Sequence, residues 1–84
     1  MNWCLITFRS VTRAQRAEKL LTEKRVSCVL QRTPRWMQEQ GCGYSLRVPA
    51  GEVSGALVLM ENGNLPYRKV YCSTDQGKWE EMEL

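Results

Sequence analysis

The side chains here best suited to covalent chemistry at neutral pH are four cysteines: Cys4, Cys28, Cys42 and Cys72. A cysteine reacts as its thiolate, so an uncovered sulfur near positive charge is the one to look for. Histidine is absent. That removes the commonest general base, the commonest zinc ligand and every Cys-His or Ser-His pair. The cysteines lie 24, 14 and 30 positions apart, with no C-x-x-C, which argues against a zinc ribbon or a thioredoxin-type pair.

Cys42 differs from the others. Cys4, Cys28 and Cys72 fall in strand-like runs and read as buried, inert thiols. The flanking Gly41 and Gly43 leave the Cys42 sulfur unshielded and let a ligand approach the backbone. Cations at Arg9, Arg32 and Arg35 and the start of the first helix would lower its pKa. The same tripeptide would also serve as a tight turn into a strand, and both readings stand at this level. Arg35 beside Pro34, with Arg9 and Arg47, could hold an anion or an acidic partner, or be ordinary surface arginines. Trp36 and Met37, in the same irregular stretch, read as a lid packed on the core in preference to an exposed partner site.

The elements that must position these residues follow from periodicity. Trp3 to Phe8 reads as a buried strand. Thr12 and Gln15 have the form of a capping box, and Ala14, Ala17, Leu20 and Leu21 recur at helical spacing to about Lys24. Val26, Cys28 and Leu30 alternate as a second strand. Residues 32–43 break both periods, Tyr44 to Val48 is a third strand, and Pro49 ends it. Val53, Ala56, Leu57 and Met60 form a second amphipathic helix that Gly63 can cap, and Pro66 to Cys72 gives a fourth strand.

The order β-α-β-β-α-β predicts an α+β fold of the ferredoxin-like split β-α-β type, a four-stranded antiparallel sheet with two helices on one face. In that fold the 32–43 segment lies at the same end as Arg9, Ser10 and the first helix's N-terminus. The acidic tail leaves from the opposite end.

At 84 residues the chain holds one domain and a small core. Hydrophobic residues are 43% and charged residues 25%, which suits a folded domain and excludes disorder. No apolar run approaches the ~20 residues needed to span a bilayer, and Met1 to Ile6 has neither a basic n-region nor a long apolar h-region, so a secretory signal is not expected. A cytoplasmic location with free thiols is the resulting expectation. Residues 1–72 carry eleven Lys/Arg and five Glu, a net +6, whereas residues 73–84 are net −3. The basic body raises RNA binding as a reading, but Phe8 and Tyr44 are few aromatics for a base-stacking sheet, and no Lys/Arg-Gly-Phe motif is present. Nucleic acid and membrane are therefore not expected as partners.

Leu5-Ile6-Thr7-Phe8-Arg9-Ser10-Val11-Thr12, Ala17-Glu18-Lys19-Leu20-Leu21, Thr33-Pro34-Arg35 and Gly41-Cys42-Gly43-Tyr44-Ser45-Leu46-Arg47 together resemble the selenium/sulfur carrier-like family of small bacterial proteins. The resemblance covers about residues 3–72. It departs from the family pattern at Trp36-Met37-Gln38-Glu39 and in the acidic extension after Cys72. It implies a carrier domain over 1–72 with an acidic tail over 73–84, and a persulfide or selenopersulfide on Cys42. Thr33, Pro34 and Arg35 would shape its surroundings, with Arg9, Ser10, Gly41 and Gly43 alongside. A carrier needs no general base, cofactor or metal. It would meet sulfur or selenium donor and acceptor proteins, and open sheet edges would allow a homodimer. The competing reading is a non-catalytic ligand-sensing or protein-interaction module on the same fold.

Overall fold

Trp3–Thr7 forms the first strand, β1, which is flanked on both sides in a five-stranded sheet. The computed structural model describes residues 2–38 and 43–82. The remaining elements are α1 (Val11–Glu23), β2 (Val29–Arg32), β3 (Tyr44–Pro49), α2 (Val53–Asn62), β4 (Val70–Ser73) and β5 (Trp79–Glu81), with 3-10 turns at Arg35–Met37 and Ala50–Glu52. The sheet order is β2-β3-β1-β4-β5, and every neighbouring pair is antiparallel. Among the described residues, no helix is long and apolar enough to cross a membrane.

β1 reads as an unbroken apolar run because both of its faces are covered. Cys4, Leu5 and Ile6 are all fully buried. Cys4, Ile6 and Phe8 join Leu46, Val48 and Val70 against Ala14, Ala17 and Leu21 of α1 and Val53, Ala56 and Met60 of α2. On the opposite face, Leu5 packs with Tyr71 and with Met37 from the 3-10 turn, and Trp79 lies beside them.

The expected lid is thus half realised: Met37 is 3% exposed, while Trp36 remains 60% exposed with its ring edge-on to Tyr71, centroids 5.5 Å apart. Met37→Ala should cost about 2–5 kcal/mol in urea unfolding, the usual range for emptying a buried methionine site. A loss below about 0.5 kcal/mol, typical of surface positions, would show that the turn does not close this face.

Several boundaries differ from the sequence reading. The Thr12–Gln15 capping box is replaced by Ser10, whose hydroxyl accepts from the Arg13 N–H at 3.2 Å. β2 starts at Val29 and not at Val26, because the end of α1 takes that stretch. Arg25 N–H donates to Thr22 O (3.1 Å) and Val26 N–H to Leu21 O (2.8 Å), with Arg25 at φ 63. This is the paired-bond helix ending usually built on glycine.

α2 ends the same way, with Asn64 at φ 56 and bonds from Asn64 to Glu61 and Leu65 to Met60. Gly63 precedes that left-handed residue, and a Cβ there would stand 3.3 Å from Leu20 Cδ2. Its role is to let α1 approach, not to supply the turn. Residues 65–69 lead into β4, which begins only at Val70.

Two expectations are corrected outright. The sheet has five strands, not four, because the acidic tail is not all tail. The chain turns at Gly77 (φ 80), and Trp79–Glu81 pairs with β4 through Tyr71↔Glu81 and Ser73↔Trp79. Met82 N–H then donates to Val70 O at 2.7 Å, so the tail runs back along the sheet instead of leaving it.

The second correction concerns Cys4 and Cys72, expected as free thiols, which are joined by a disulfide. They face each other across β1 and β4 with Cα atoms 4.0 Å apart. Thr7 N–H donates to Lys69 O, so Cys4 and Cys72, three positions away, occupy the non-hydrogen-bonded register where facing side chains come closest.

Candidate functional site

The sheet places the 33–43 crossover at the end where β1 finishes, since Thr7 faces Ser45 and Arg32 faces Tyr44. The β2–β3 ladder continues one step past its last strand residue. Thr33 N–H donates to Gly43 O at 2.6 Å, which brings the two ends of the crossover together. Within it, Pro34 presets the chain with φ −55 and starts the 3-10 turn, its carbonyl accepting from Met37 N–H at 2.9 Å. Gln38 closes the turn, because its side-chain amide donates to Thr33 O at 2.9 Å.

Gly43 sits against this knot. A Cβ there would meet Gln38 Nε2 at 3.2 Å and Arg32 Nη1 at 3.7 Å. A side chain at this position would press on the Gln38 amide, and a guanidinium stands at the same corner. Arg32 also lies over the Tyr44 ring, 5.4 Å from its centroid. Arg47 is committed elsewhere, over the Trp3 ring at 4.7 Å.

The residues singled out from sequence divide as follows. Thr33, Pro34, Gln38 and Gly43 are brought together, and Arg32 joins them. Arg35 belongs to the exposed side of the 3-10 turn. Arg9 is exposed at the start of α1, and the Ser10 hydroxyl is occupied in capping that helix. Both stand at the same end of the sheet as the crossover. They serve the helix-covered face, however, whereas the 3-10 turn packs on the opposite one. Gly41 and Cys42 lie outside the described residues.

The other sulfurs are accounted for. Cys4 and Cys72 are bonded to each other. Cys28 is a half-buried free thiol near Thr22 Oγ1 and Glu18 O, each at 3.9 Å. Burial, helped by the nearby Glu18 carboxylate, pushes its pKa above the ordinary 9.0 despite the opposing Thr22 contact.

The folded protein therefore holds the Cys28 proton more tightly than the unfolded chain. The stability linked to it is complete below pH 9.0 and lost as pH climbs through the raised value. Cys28 should alkylate with iodoacetamide more slowly than an unfolded-chain cysteine at neutral pH. Equal rates would show an open, ionisable thiol.

Ser45 is a residue that the sequence reading quoted but gave no role. It is fully buried, and among the described residues neither its hydroxyl nor that of Thr33 has a hydrogen-bond partner. No sequence signal marks this, since an unpartnered hydroxyl is defined only by what surrounds it. Among the described residues, no group of three or more metal-ligating side chains is assembled.

Residues 3–72 match the family model described as "Putative Se/S carrier protein-like". No curated protein and no solved structure matches the chain.

Proposed function

Since the chain belongs to the Se/S carrier-like family, we propose that it carries sulfur or selenium as a persulfide or selenopersulfide on Cys42. The observation that carries this reading is the disposition of the other thiols. Cys4 and Cys72 are tied up in a disulfide, and Cys28 is half-buried with a raised pKa. Of the four cysteines, Cys42 is left to supply a thiolate at neutral pH.

The transfer balances without a cofactor. The Cys42 thiolate attacks the outer sulfur of a donor persulfide, forming the new S–S bond. The donor's own S–S bond breaks and its cysteine leaves as thiolate, picking up a proton from solvent. No oxidant is consumed and no general base is needed, in keeping with a chain that has no histidine.

The Thr33–Gly43 bond supports the same reading, since it anchors the residue next to Cys42 beside Thr33, Pro34 and the Arg32 guanidinium. A cation in that corner favours the anionic sulfur. Arg9, Ser10 and Arg35 then act on the approaching donor and acceptor proteins, with exposed Trp36 as an apolar contact for them. A homodimer would use a sheet edge, β2 or β5.

We read the order β2-β3-β1-β4 as the ferredoxin-like split β-α-β arrangement, with β5 added at the β4 edge. RNA binding finds little support, because Leu5 and Tyr71 at the centre of the helix-free face are buried with Met37 and offer no stacking platform.

The test is intact-mass analysis after incubation with a cysteine desulfurase and cysteine. A gain of one or more sulfur atoms that depends on Cys42 is the expected result. No gain, or a gain retained without Cys42, overturns the reading.

A further inference from the structure

The second helix is apolar on nearly every side. Val53, Ala56 and Met60 are buried in the core and Leu57 and Leu59 are half-buried, yet Val58, on the outward side, is 55% exposed. A helix of that composition is normally covered all round. Beside Val58 runs an open groove of about 680 Å³, a volume typical of binding clefts. Leu57, Val58, Leu65, Pro66 and Tyr67 wall it, and Glu61 is the one charged residue among the described residues that line it. Its far wall is fixed to the fold, because Leu65 N–H donates to Met60 O at 2.8 Å.

Two residues on this side are ill suited to the helix that carries them. Glu61 stands in the last turn, where the carbonyl dipole favours a cation, and that turn has no basic residue. Among the described residues no cation pairs with it. Gly55 weakens a helix interior, and a Cβ at that position would meet nothing within 4 Å. No contact among the described residues calls for either one.

We propose that this groove is a docking site for a helix of another protein, one whose apolar face is flanked by lysine or arginine. Its apolar side chains fill the groove over Val58, its backbone comes close at Gly55, and a cation meets Glu61. The sign of the charge is set twice, by the Glu61 carboxylate and by the carbonyl end of α2, and both repel an anionic segment. Glu52, at the start of the helix, is exposed as well. The apolar surface is therefore acidic at each end, in a chain that is net +3. A helix laid in an apolar groove is a recurrent mode of recognition.

A second copy of this chain does not fit. Packing α2 on α2 sets Glu61 against Glu52 when the helices run antiparallel, and against Glu61 when they run parallel. The outward side of α1 presents Arg13, Gln15, Arg16 and Lys19, with Val11 as its single exposed large apolar residue among the described residues. That leaves the groove unfilled. The groove uses no residue of the 33–43 crossover, so it serves such a partner whatever Cys42 carries.

The probes are two fluorescein-labelled synthetic peptides on the order of 16 residues, long enough to be helical. Both have leucines at helical spacing; one has lysine at the remaining positions and the other glutamate. Overall charge favours the glutamate peptide, because the protein is net +3, whereas the groove favours the lysine peptide. The lysine peptide should bind on the order of tenfold tighter, with amide NMR shift changes clustered at residues 54–67. Glu61→Lys should weaken it roughly tenfold, since reversal replaces an attraction with a like-charge contact. The same variant should unfold at an equal or higher urea concentration, because a cation suits that helix end. Val58→Glu should fold and lose binding, and Gly55→Leu should fold at least as stably and bind more weakly. Val29→Glu, exposed on β2, should bind like wild type. Equal binding of the two peptides, tighter binding of the glutamate peptide, no binding of either, or unchanged binding by Glu61→Lys overturns the proposal. So does sedimentation showing a dimer that Val58→Glu dissociates, which would give this face to a second copy.

Discussion

Cys42→Ser is expected to reduce sulfur loading to background while leaving the fold intact. The serine hydroxyl is nearly isosteric with the thiol, but it stays protonated at neutral pH. With no histidine in the chain, no imidazole is available to activate it. Its reaction with a donor persulfide should therefore disappear, not merely slow. Cys28→Ser makes the matched control. That thiol is half-buried and its pKa is raised, so the variant should load like wild type. Intact mass after desulfurase treatment separates the outcomes. Loading lost in Cys28→Ser but kept in Cys42→Ser would move the carrier role to Cys28 and overturn the reading.

Reduction of Cys4–Cys72 is expected to have the largest effect on stability. The bond closes a loop between residues 68 positions apart, and the chain-entropy relation gives about 4 kcal/mol for a loop of that size. A domain of this length has a total stability of roughly 4–13 kcal/mol, so the disulfide accounts for a large share. The effect acts mainly on the unfolded chain. Reduced protein should accordingly keep the β1–β4 register and unfold at a clearly lower urea concentration, as should the Cys4→Ala/Cys72→Ala double variant. Coincident unfolding curves with and without dithiothreitol would sink this prediction. The result also governs how the loading assay is run, because a thiol strong enough to open this bridge would strip a persulfide as well.

The helices and central strands were legible because their apolar residues sit on the stripes that the packing buries. Ala14, Ala17 and Leu21 in α1 and Val53, Ala56 and Met60 in α2 are buried as the spacing requires. β5 was not legible: Trp79-Glu80-Glu81 is polar and short, and it becomes a strand only because β4 presents an unpaired edge beside it. The start of β2 was misplaced for a related reason. Val26 alternates correctly with Cys28 and Leu30, yet its N–H is used to close α1. Alternation cannot reveal which carbonyl an amide will find.

At the crossover the sequence singled out Thr33, Pro34 and Gly43, and the hydrogen bond from Thr33 N–H to Gly43 O gathers them at one end of the sheet. Met37 closing the helix-free face was foreseen, and Trp36 staying exposed was not, because lone apolar residues in a loop carry no periodicity to say which turns inward.

What the amino-acid order determined by itself was the succession of elements, the lack of imidazole chemistry and the family to which the chain belongs, since all three depend on residue type and local spacing. Tertiary structure alone decided that Cys4 meets Cys72, that Arg32 and not Arg9 stands at Gly43, and that the Thr33 and Ser45 hydroxyls find no partner among the described residues. Each depends on strand register and on which face a side chain occupies, and residues far apart in the chain acquire those relations only when the sheet closes.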